Sequence, residues 1–178
     1  MGSSADQRTT VMMRNLPTTL SRDELVDLVK SKGFEEQFDF LYLPANFVSA
    51  SNFGYAFVNL LTHQHAVRFQ KVFDGFASWP ASGCHNVCAV SWADVQGLWA
   101  NVVRHLNKAI MHKQDVPDHC RPAVFHHGRQ IPLPRATSES RAMLESSSTC
   151  PGTTKVRGSF GQFVRVPMRP SVRTTLDG

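Results

Sequence analysis

The sequence predicts an α+β fold: a ferredoxin-like βαββαβ sandwich, a C-terminal third helix and a largely disordered basic tail. Two observations predict the sandwich. Short apolar or aromatic runs end at turn residues, and two capped helical segments separate them in the order β-α-β-β-α-β. A third observation divides the 178-residue chain, since aromatic residues concentrate before Met111 and the surplus of positive charge follows it. We therefore expect one folded domain with a basic extension.

The first strand and the first helix have the clearest local signals. Thr10–Leu16 is a short apolar run, which is typical of a strand. Ser21 and Glu24 form a capping box, in which each side chain accepts a hydrogen bond from the other residue's backbone amide. Apolar residues then recur at helical spacing, so a helix is predicted over Arg22–Lys32, with Gly33 as its stop signal.

The remaining elements of the sandwich follow in order. Phe38–Leu43 and Tyr55–Leu60 are aromatic-rich runs joined by a polar, glycine-containing segment, and they predict two strands. Thr62 is the predicted cap of a second helix, because apolar residues at helical spacing come after it. Val87–Trp92 predicts the fourth strand after a loop rich in proline, serine and glycine.

A third helix is predicted beyond the sandwich, with Asp94 as its cap. Its apolar stripe steps by three or four residues and consists of Val95, Leu98, Trp99, Val102, Leu106 and Ala109 or Ile110. Such a stripe must be buried, either across the sheet or beside it. From Asp115 onward the periodicity disappears. The predicted organisation is a disordered N-terminus at 1–9, a folded domain at 10–111, and a mostly irregular basic tail at 112–178.

The net charge of +5 belongs to the tail. Residues 1–111 contain nine Lys or Arg and nine Asp or Glu, whereas residues 112–178 contain ten and five. No run of about 18 apolar residues occurs, and the first ten residues are polar, so neither a membrane span nor a secretory signal is expected. The sequence thus favours an intracellular protein of the nucleus, the cytoplasm or both.

Strand periodicity predicts which side chains face away from the two sandwich helices. If Val11, Met13, Ala56, Val58 and Leu60 point to the core, the opposite face carries Met12, Arg14, Tyr55, Phe57 and Asn59. The same alternation places Phe40 and Tyr42 on that face if Leu41 and Leu43 face the core. Adjacent aromatic rings on an open sheet provide a surface on which unpaired bases stack.

Two segments carry a family resemblance. Phe53-Gly54-Tyr55-Ala56-Phe57-Val58-Asn59-Leu60 resembles the RNP1 octamer of the RNA recognition motif, although Phe53 stands where that motif has a basic residue. Val11-Met12-Met13-Arg14-Asn15-Leu16 resembles its RNP2 hexamer. The whole of residues 9–134 is similar to the C-terminal RNA recognition motif of Mei2-like proteins, as in TVMMRNLP, FDFLYLP, NFGYAFVN, VCAVSWADVQG and, more loosely, RPAVFHHGRQIPLP.

The resemblance implies single-stranded RNA binding in post-transcriptional regulation, without catalysis. It assigns base stacking to Tyr55 and Phe57, beside Met12 and Arg14. A second hypothesis is a protein-interaction module of the same fold, whose apolar sheet face binds a partner's helix or is covered by its own third helix. The sequence leaves open which arrangement holds, and it does not indicate an oligomeric state.

Three further candidate features concern the tail, metal ions and catalysis. The tail cations either contact phosphates or are simply solvated; they are Lys155, Arg157, Arg165, Arg169 and Arg173. Cys84, His85 and Cys88 do not have zinc-finger spacing, so free thiols and no metal are expected. Asp94 and His105 lack a partner nucleophile, and no phosphate-binding glycine loop occurs, so neither an enzyme nor a cofactor is predicted.

Overall fold

The computed structural model describes residues 6–80, 83–106 and 116–133. Its elements, in chain order, are β1 (Thr10–Arg14), α1 (Arg22–Val29), a π-type turn (Lys30–Phe34), β2 (Phe38–Tyr42), β3 (Tyr55–Leu60), α2 (His63–Phe73), β4 (Ala89–Trp92), α3 (Leu98–Leu106), a 3₁₀ turn (Asp118–Cys120), β5 (Ala123–His126) and β6 (Arg129–Ile131). No helix in these three ranges has the length and apolar character needed to cross a membrane.

All six strands lie in one sheet, in the order β4-β1-β3-β2-β5-β6, and every neighbouring pair is antiparallel. The first four strands of that order, with α1 and α2, form the predicted ferredoxin-like sandwich. The main core lies between the sheet and these two helices. Its fully buried side chains include those predicted from strand alternation, namely Val11, Met13, Ala56, Val58 and Leu60.

The two sandwich helices begin where the sequence predicts. At α1 the Glu24 amide donates to Ser21 Oγ at 3.2 Å, and the Ser21 amide donates to Glu24 Oε2 at 2.8 Å, which completes the capping box. At α2 the His65 amide donates to Thr62 Oγ1 at 3.1 Å. Gly33 ends the first helical segment in the left-handed region, at a φ of 83°.

Three strands are shorter than predicted: β2 by one residue, and β1 and β4 by two residues each, the last two for a shared reason. β1 stops at Arg14 because Asn15 adopts a left-handed backbone conformation with a φ of 59°, which an extended strand cannot contain. The Asn15 side-chain amide then donates to the carbonyl of Val87 at 2.9 Å. This side-chain bond lies where a strand ladder would continue, and β4 begins only at Ala89.

The predicted start of the third helix is wrong. α3 begins at Leu98, not after Asp94, because residues 93–97 form a bent, non-helical segment that hydrogen-bonds to Thr10 of β1. We call residues 93–97 the α3 leader. Gly97 ends the leader with a φ of 88°, a conformation that favours glycine and lets the chain turn into the helix.

The expectation of irregular structure from Asp115 is wrong for residues 118–131. β5 pairs with β2, and β6 pairs with β5, so this segment extends the sheet. A buried arginine of α1 holds the approach to β5: Arg22 Nη1 donates to the carbonyl of Asp118 at 2.7 Å, and Arg22 Nη2 contacts its carboxylate at 3.0 Å. Lys30 Nζ also donates to the carbonyl of Gly128 at 3.0 Å. These long-range contacts leave no local sequence pattern.

Candidate functional site

Four predicted side chains meet on the sheet face opposite α1 and α2. In the antiparallel register of β1 and β3, Met12 pairs with Phe57 and Arg14 pairs with Tyr55. All four remain half-buried or exposed. Strand alternation therefore places these residues on one surface, as the sequence predicts.

The two rings of this surface contact each other edge to face. The centroids of Tyr55 and Phe57 are 5.8 Å apart, and the ring planes make an angle of 81°. Gly54 precedes them with a φ of 80°, and its carbonyl accepts from the Leu16 amide at 3.0 Å. This bond joins the chain just after β1 to the start of β3, so it helps to align Tyr55 beside Arg14.

Phe40 and Tyr42 face the same side of the sheet but are not available to a ligand. Phe40 is 0% exposed and Tyr42 is 5% exposed, since they form a second small core with Val102 of α3 and Val124 of β5. The prediction that Phe40 and Tyr42 are RNA-stacking residues is therefore corrected. Their side-chain direction is as expected, but α3 covers them.

His105 lies at the boundary between the covered and uncovered aromatic residues. Its ring centroid is 4.2 Å from that of Tyr42, 5.9 Å from that of Phe40 and 6.4 Å from that of Phe57. The cluster excludes water, and this burial raises the pKa of Tyr42 to about 12. His105 therefore joins the covered core to the edge of the open surface.

Asn59 also faces this side, but its amide is engaged within the protein. Its Oδ1 accepts from Thr9 Oγ1 at 2.8 Å and from Thr10 Oγ1 at 2.7 Å. Its Nδ2 donates to Asp39 Oδ1 at 2.8 Å. Asn59 is only 3% exposed, so its predicted role in RNA contact is corrected to a structural one.

The α3 leader is bound to the start of β1 by Gln96. Gln96 Oε1 accepts from the amides of Thr9 and Thr10, both at 2.8 Å. Its Nε2 donates to the carbonyl of Thr10 at 2.8 Å and to that of Ala93 at 2.7 Å. One side chain thus satisfies four backbone groups and fixes where α3 leaves the sheet.

Thr10 extends this attachment into α3. Its hydroxyl, which donates to Asn59, also accepts from the Gly97 amide at 2.9 Å and from Asn101 Nδ2 at 3.2 Å. The sequence analysis assigns Asp94 and Val95 of the leader to the third helix and does not predict this attachment. The polar side chains at Gln96 and Asn101 were the available signal, because polar groups on an otherwise apolar stripe need partners.

A cleft of about 300 Å³ lies between the uncovered part of the sheet face and α3. Met12, Tyr55 and Phe57 line its sheet side. The α3 leader contributes Asp94, and α3 contributes Arg104, beside the buried His105. Neither Asp94 nor Arg104 was among the RNA-binding residues predicted from the sequence, because their position depends on where α3 docks.

Two guanidinium groups of the cleft are free of carboxylate partners. Arg14 and Arg104 are exposed, and neither forms a salt bridge within the three described ranges. The Arg14 guanidinium contacts its neighbour on the same face, with Nε donating to Met12 Sδ at 3.4 Å. The site therefore combines an aromatic floor, which can stack on planar rings, with cations that can pair with phosphate.

Two other predicted features concern the tail cations and the cysteine cluster. Lys155, Arg157, Arg165, Arg169 and Arg173 fall outside the described residues. Cys88 is buried on the core side of the sheet, and burial raises the pKa of its thiol to about 12. Among the residues whose placement is described, no three His, Cys, Asp or Glu side chains group together as metal ligands.

Comparison with known proteins places this chain in a family. Residues 8–107 match the model of RNA recognition motif 2. The chain is 31% identical to protein MEI2-like 4 of Oryza sativa subsp. japonica over 138 residues, 75% of this chain. It is 32% identical to meiosis protein mei2 of Schizosaccharomyces pombe over 153 residues, 82% of this chain. The chain spans only 13% and 19% of those two relatives, respectively.

A solved structure of Rna15 RRM with bound RNA (GU) covers 54% of this chain and 94% of its own, with 14% identity and a TM-score of 0.43.

Proposed function

Because the chain belongs to the RNA recognition motif 2 family and is related to Mei2-like proteins, we propose that it binds single-stranded RNA on the uncovered part of its sheet. The observation that carries the proposal is the pair Tyr55 and Phe57, which stays accessible beside Met12 and Arg14. The neighbouring pair Phe40 and Tyr42 is buried instead.

Base stacking supplies most of the proposed affinity. A base that stacks on an aromatic side chain contributes roughly 1–3 kcal/mol, and the interaction tolerates different bases. Tyr55 and Phe57 thus provide two stacking positions, while the Met12 side chain packs against a base edge. Arg14 lies next to Tyr55 in the register and is placed to contact the phosphate of the nucleotide stacked there.

The cleft limits how the RNA binds. A volume of about 300 Å³ accommodates unpaired bases and is too small for a folded RNA element. Only unpaired nucleotides present a base face that can enter between the sheet and α3. The proposed ligand is therefore single-stranded, and neighbouring bases stack on Tyr55 and Phe57, which both line the cleft.

The competing hypothesis is a protein-interaction module. In that hypothesis the protein's third helix covers the sheet or a partner's helix binds there. Here α3 covers part of the sheet, so a partner helix on the uncovered part is the alternative ligand. Arg14 and Arg104 favour RNA, because an apolar helix would bury two unpaired guanidinium groups. We further propose that this binding serves post-transcriptional regulation of the Mei2-like type, without catalysis. The sequence pattern supports the proposal of a location in the nucleus or the cytoplasm.

Fluorescence anisotropy with a labelled random RNA of about ten nucleotides tests the proposal, since such sites span roughly 4–16 nucleotides. The Tyr55→Ala/Phe57→Ala variant of the full chain should bind at least about 30-fold more weakly than the wild type, from two lost stacks. Tyr55→Ala alone should produce part of that loss, and it leaves the contacts of Phe57 with His105 and the covered core in place. Trp99→Ala is the matched control, because Trp99 is 57% exposed on α3 and does not line the cleft.

Two outcomes contradict this assignment. If both Tyr55 variants bind as tightly as the wild type while circular dichroism shows them folded, bases do not stack on the sheet. The tail is tested in the same assay by replacing Lys155, Arg157, Arg165, Arg169 and Arg173 with Gln in the full chain. If only this replacement abolishes binding, the tail is the RNA-binding element.

A further inference from the structure

We propose that Arg104 of α3 is a phosphate-contacting residue of the RNA site, so that α3 is part of the binding surface as well as a cover for half the sheet. This inference rests on the proposed RNA binding and adds a second cation to it. Its physical basis is the placement of two unpaired guanidinium groups on opposite sides of Tyr55.

The order of the strands establishes those two sides. β3, which carries Tyr55, lies between β1 and β2. Arg14 lies on β1 and is the register partner of Tyr55. α3 lies over β2, where Val102 packs on Phe40 and Tyr42. A nucleotide stacked on Tyr55 therefore has Arg14 on one flank and the α3 flank, with Arg104, on the other.

The packing of the next residue fixes the rotation of α3. His105 is 2% exposed, and its ring centroid lies 4.2 Å from that of Tyr42. Since consecutive helical residues are about 100° apart around the axis, burial of His105 turns Arg104 toward the side of the helix. That side lines the cleft, so the guanidinium group is exposed next to the stacking rings.

Arg104 also compensates for a basic residue that is missing from the RNP1-like octamer. The family motif begins with a basic residue that contacts phosphate, and Phe53 stands there, with 58% of its surface exposed. A stacking surface without cations binds a polyanion weakly. Arg104 supplies a guanidinium from a different element, and its planar fork can make two parallel hydrogen bonds to one phosphate.

The nearby carboxylate of Asp94 makes it possible to distinguish a phosphate-binding role of Arg104 from a structural role. Asp94 lines the same cleft, yet the described structure has no salt bridge between Asp94 and Arg104. If Arg104 served only to hold the α3 leader through Asp94, losing either partner would have the same effect. If Arg104 contacts phosphate, removing the nearby negative charge should instead strengthen RNA binding.

The experiment measures the affinity of the full chain for the same random RNA across a series of salt concentrations. Arg104→Gln should weaken binding about 3- to 10-fold at low salt and reduce the slope of log K against log salt by about 0.7, the value for one phosphate contact on a single strand. Arg104→Lys should restore the slope. Asp94→Asn should bind more tightly than the wild type. Arg129→Gln removes an exposed arginine of β6 outside the cleft and should leave both quantities unchanged.

The inference is overturned if Arg104→Gln keeps the wild-type affinity and salt slope, or if Asp94→Asn reproduces its loss. In either case Tyr55→Ala still reports on the proposed function separately. Weak binding by Tyr55→Ala with normal binding by Arg104→Gln would mean that RNA stacks on the sheet without touching α3. Normal binding by both variants would contradict the proposed function itself.

Discussion

In this protein α3 covers one half of the sheet face and leaves the other half open. Phe40 and Tyr42 on β2 are buried beneath α3, whereas Tyr55 and Phe57 on the adjacent β3 line an open cleft. All four are aromatic, and all four point away from α1 and α2. An aromatic residue on the open face of a sheet therefore becomes either core or ligand surface, and the line along which the third helix docks decides which.

Two sets of contacts, one apolar and one polar, determine where α3 docks on the sheet. The apolar stripe of α3, including Leu98 and Val102, needs a hydrophobic surface, and β2 together with Val124 of β5 provides it. The polar contacts of Gln96 and Thr10 attach the α3 leader over the start of β1. The helix consequently lies toward β2 and leaves the β1 and β3 side open.

The largest expected effect is a difference in stability between a substitution in the covered half and one in the open half. Phe40→Ala removes a fully buried ring, so the free energy of unfolding should fall by about 3–5 kcal/mol. Tyr55→Ala truncates a half-exposed ring and should cost less than about 1 kcal/mol. Urea denaturation followed by circular dichroism measures both changes. Affinity should follow the reverse order, since only Tyr55 is proposed to stack on RNA.

The contrast between the two halves is contradicted if Phe40→Ala and Tyr55→Ala lower the free energy of unfolding by the same amount. Equal losses of stability would mean that α3 does not cover Phe40 in solution, or that Tyr55 is packed as deeply as Phe40. Val124→Ala provides an independent check, because Val124 contributes to the covered core from a different strand and should also destabilise the protein.

The open half was largely predictable from the sequence, because its determinants are local. The two-residue period of Val11, Met13, Ala56 and Val58 fixes the core face of β1 and β3 and, with it, the opposite side for Tyr55 and Phe57. The capping residues Ser21 and Thr62 mark the helix starts in the same way. Each signal lies within a few residues of the element it specifies.

The covered half was not predictable, because long-range contacts determine it. The stripe on α3 shows that the helix must be buried, but only the bonds from Gln96 to Thr9 and Thr10 show where, and they join segments 86 or 87 residues apart. β5 is a short strand that depends on pairing with β2, and the buried Arg22 supports the turn before it. Tertiary contacts of this kind override local preference.

The next largest effect should come from the polar attachment of α3. Thr10→Val keeps the shape of the side chain but removes a fully buried hydroxyl that accepts from the Gly97 amide and from Asn101. Leaving buried donors without an acceptor costs about 1–3 kcal/mol. The expected result is a matching loss of stability, together with faster hydrogen exchange of the α3 amides, measured by mass spectrometry.

Thr9→Val is the matched control for that substitution. Thr9 also donates a hydroxyl hydrogen bond to Asn59, at 2.8 Å, but it is only partly buried and water can replace the lost group. Its stability loss should be smaller, and α3 exchange should stay near the wild-type rate. If Thr9→Val and Thr10→Val accelerate α3 exchange equally, the Thr10 hydroxyl does not determine where α3 docks.

The smallest effect is absent at neutral pH and appears only in alkali. Burial under α3 raises the pKa of Tyr42 from its ordinary value of 10 to about 12. Above pH 10 the unfolded chain releases this proton while the folded chain keeps it, so the folded state binds more protons and loses stability as pH rises. Between about pH 10 and 12 the wild type should therefore lose more stability to this residue than Tyr42→Phe, which has no proton to release.

Urea denaturation at each pH measures the difference, and Tyr55→Phe serves as the control because it removes the other tyrosine of the chain while leaving Tyr42 covered. The excess loss should largely persist in Tyr55→Phe, because burial is the main cause of the raised Tyr42 pKa and the charge of Tyr55 a lesser one, and it should vanish in Tyr42→Phe. If Thr10→Val loosens α3, it should also bring the pKa of Tyr42 back toward 10, because water then reaches the phenol. An unchanged alkaline loss in Tyr42→Phe would show that other groups cause it, and the contrast between the two halves would then rest on packing alone.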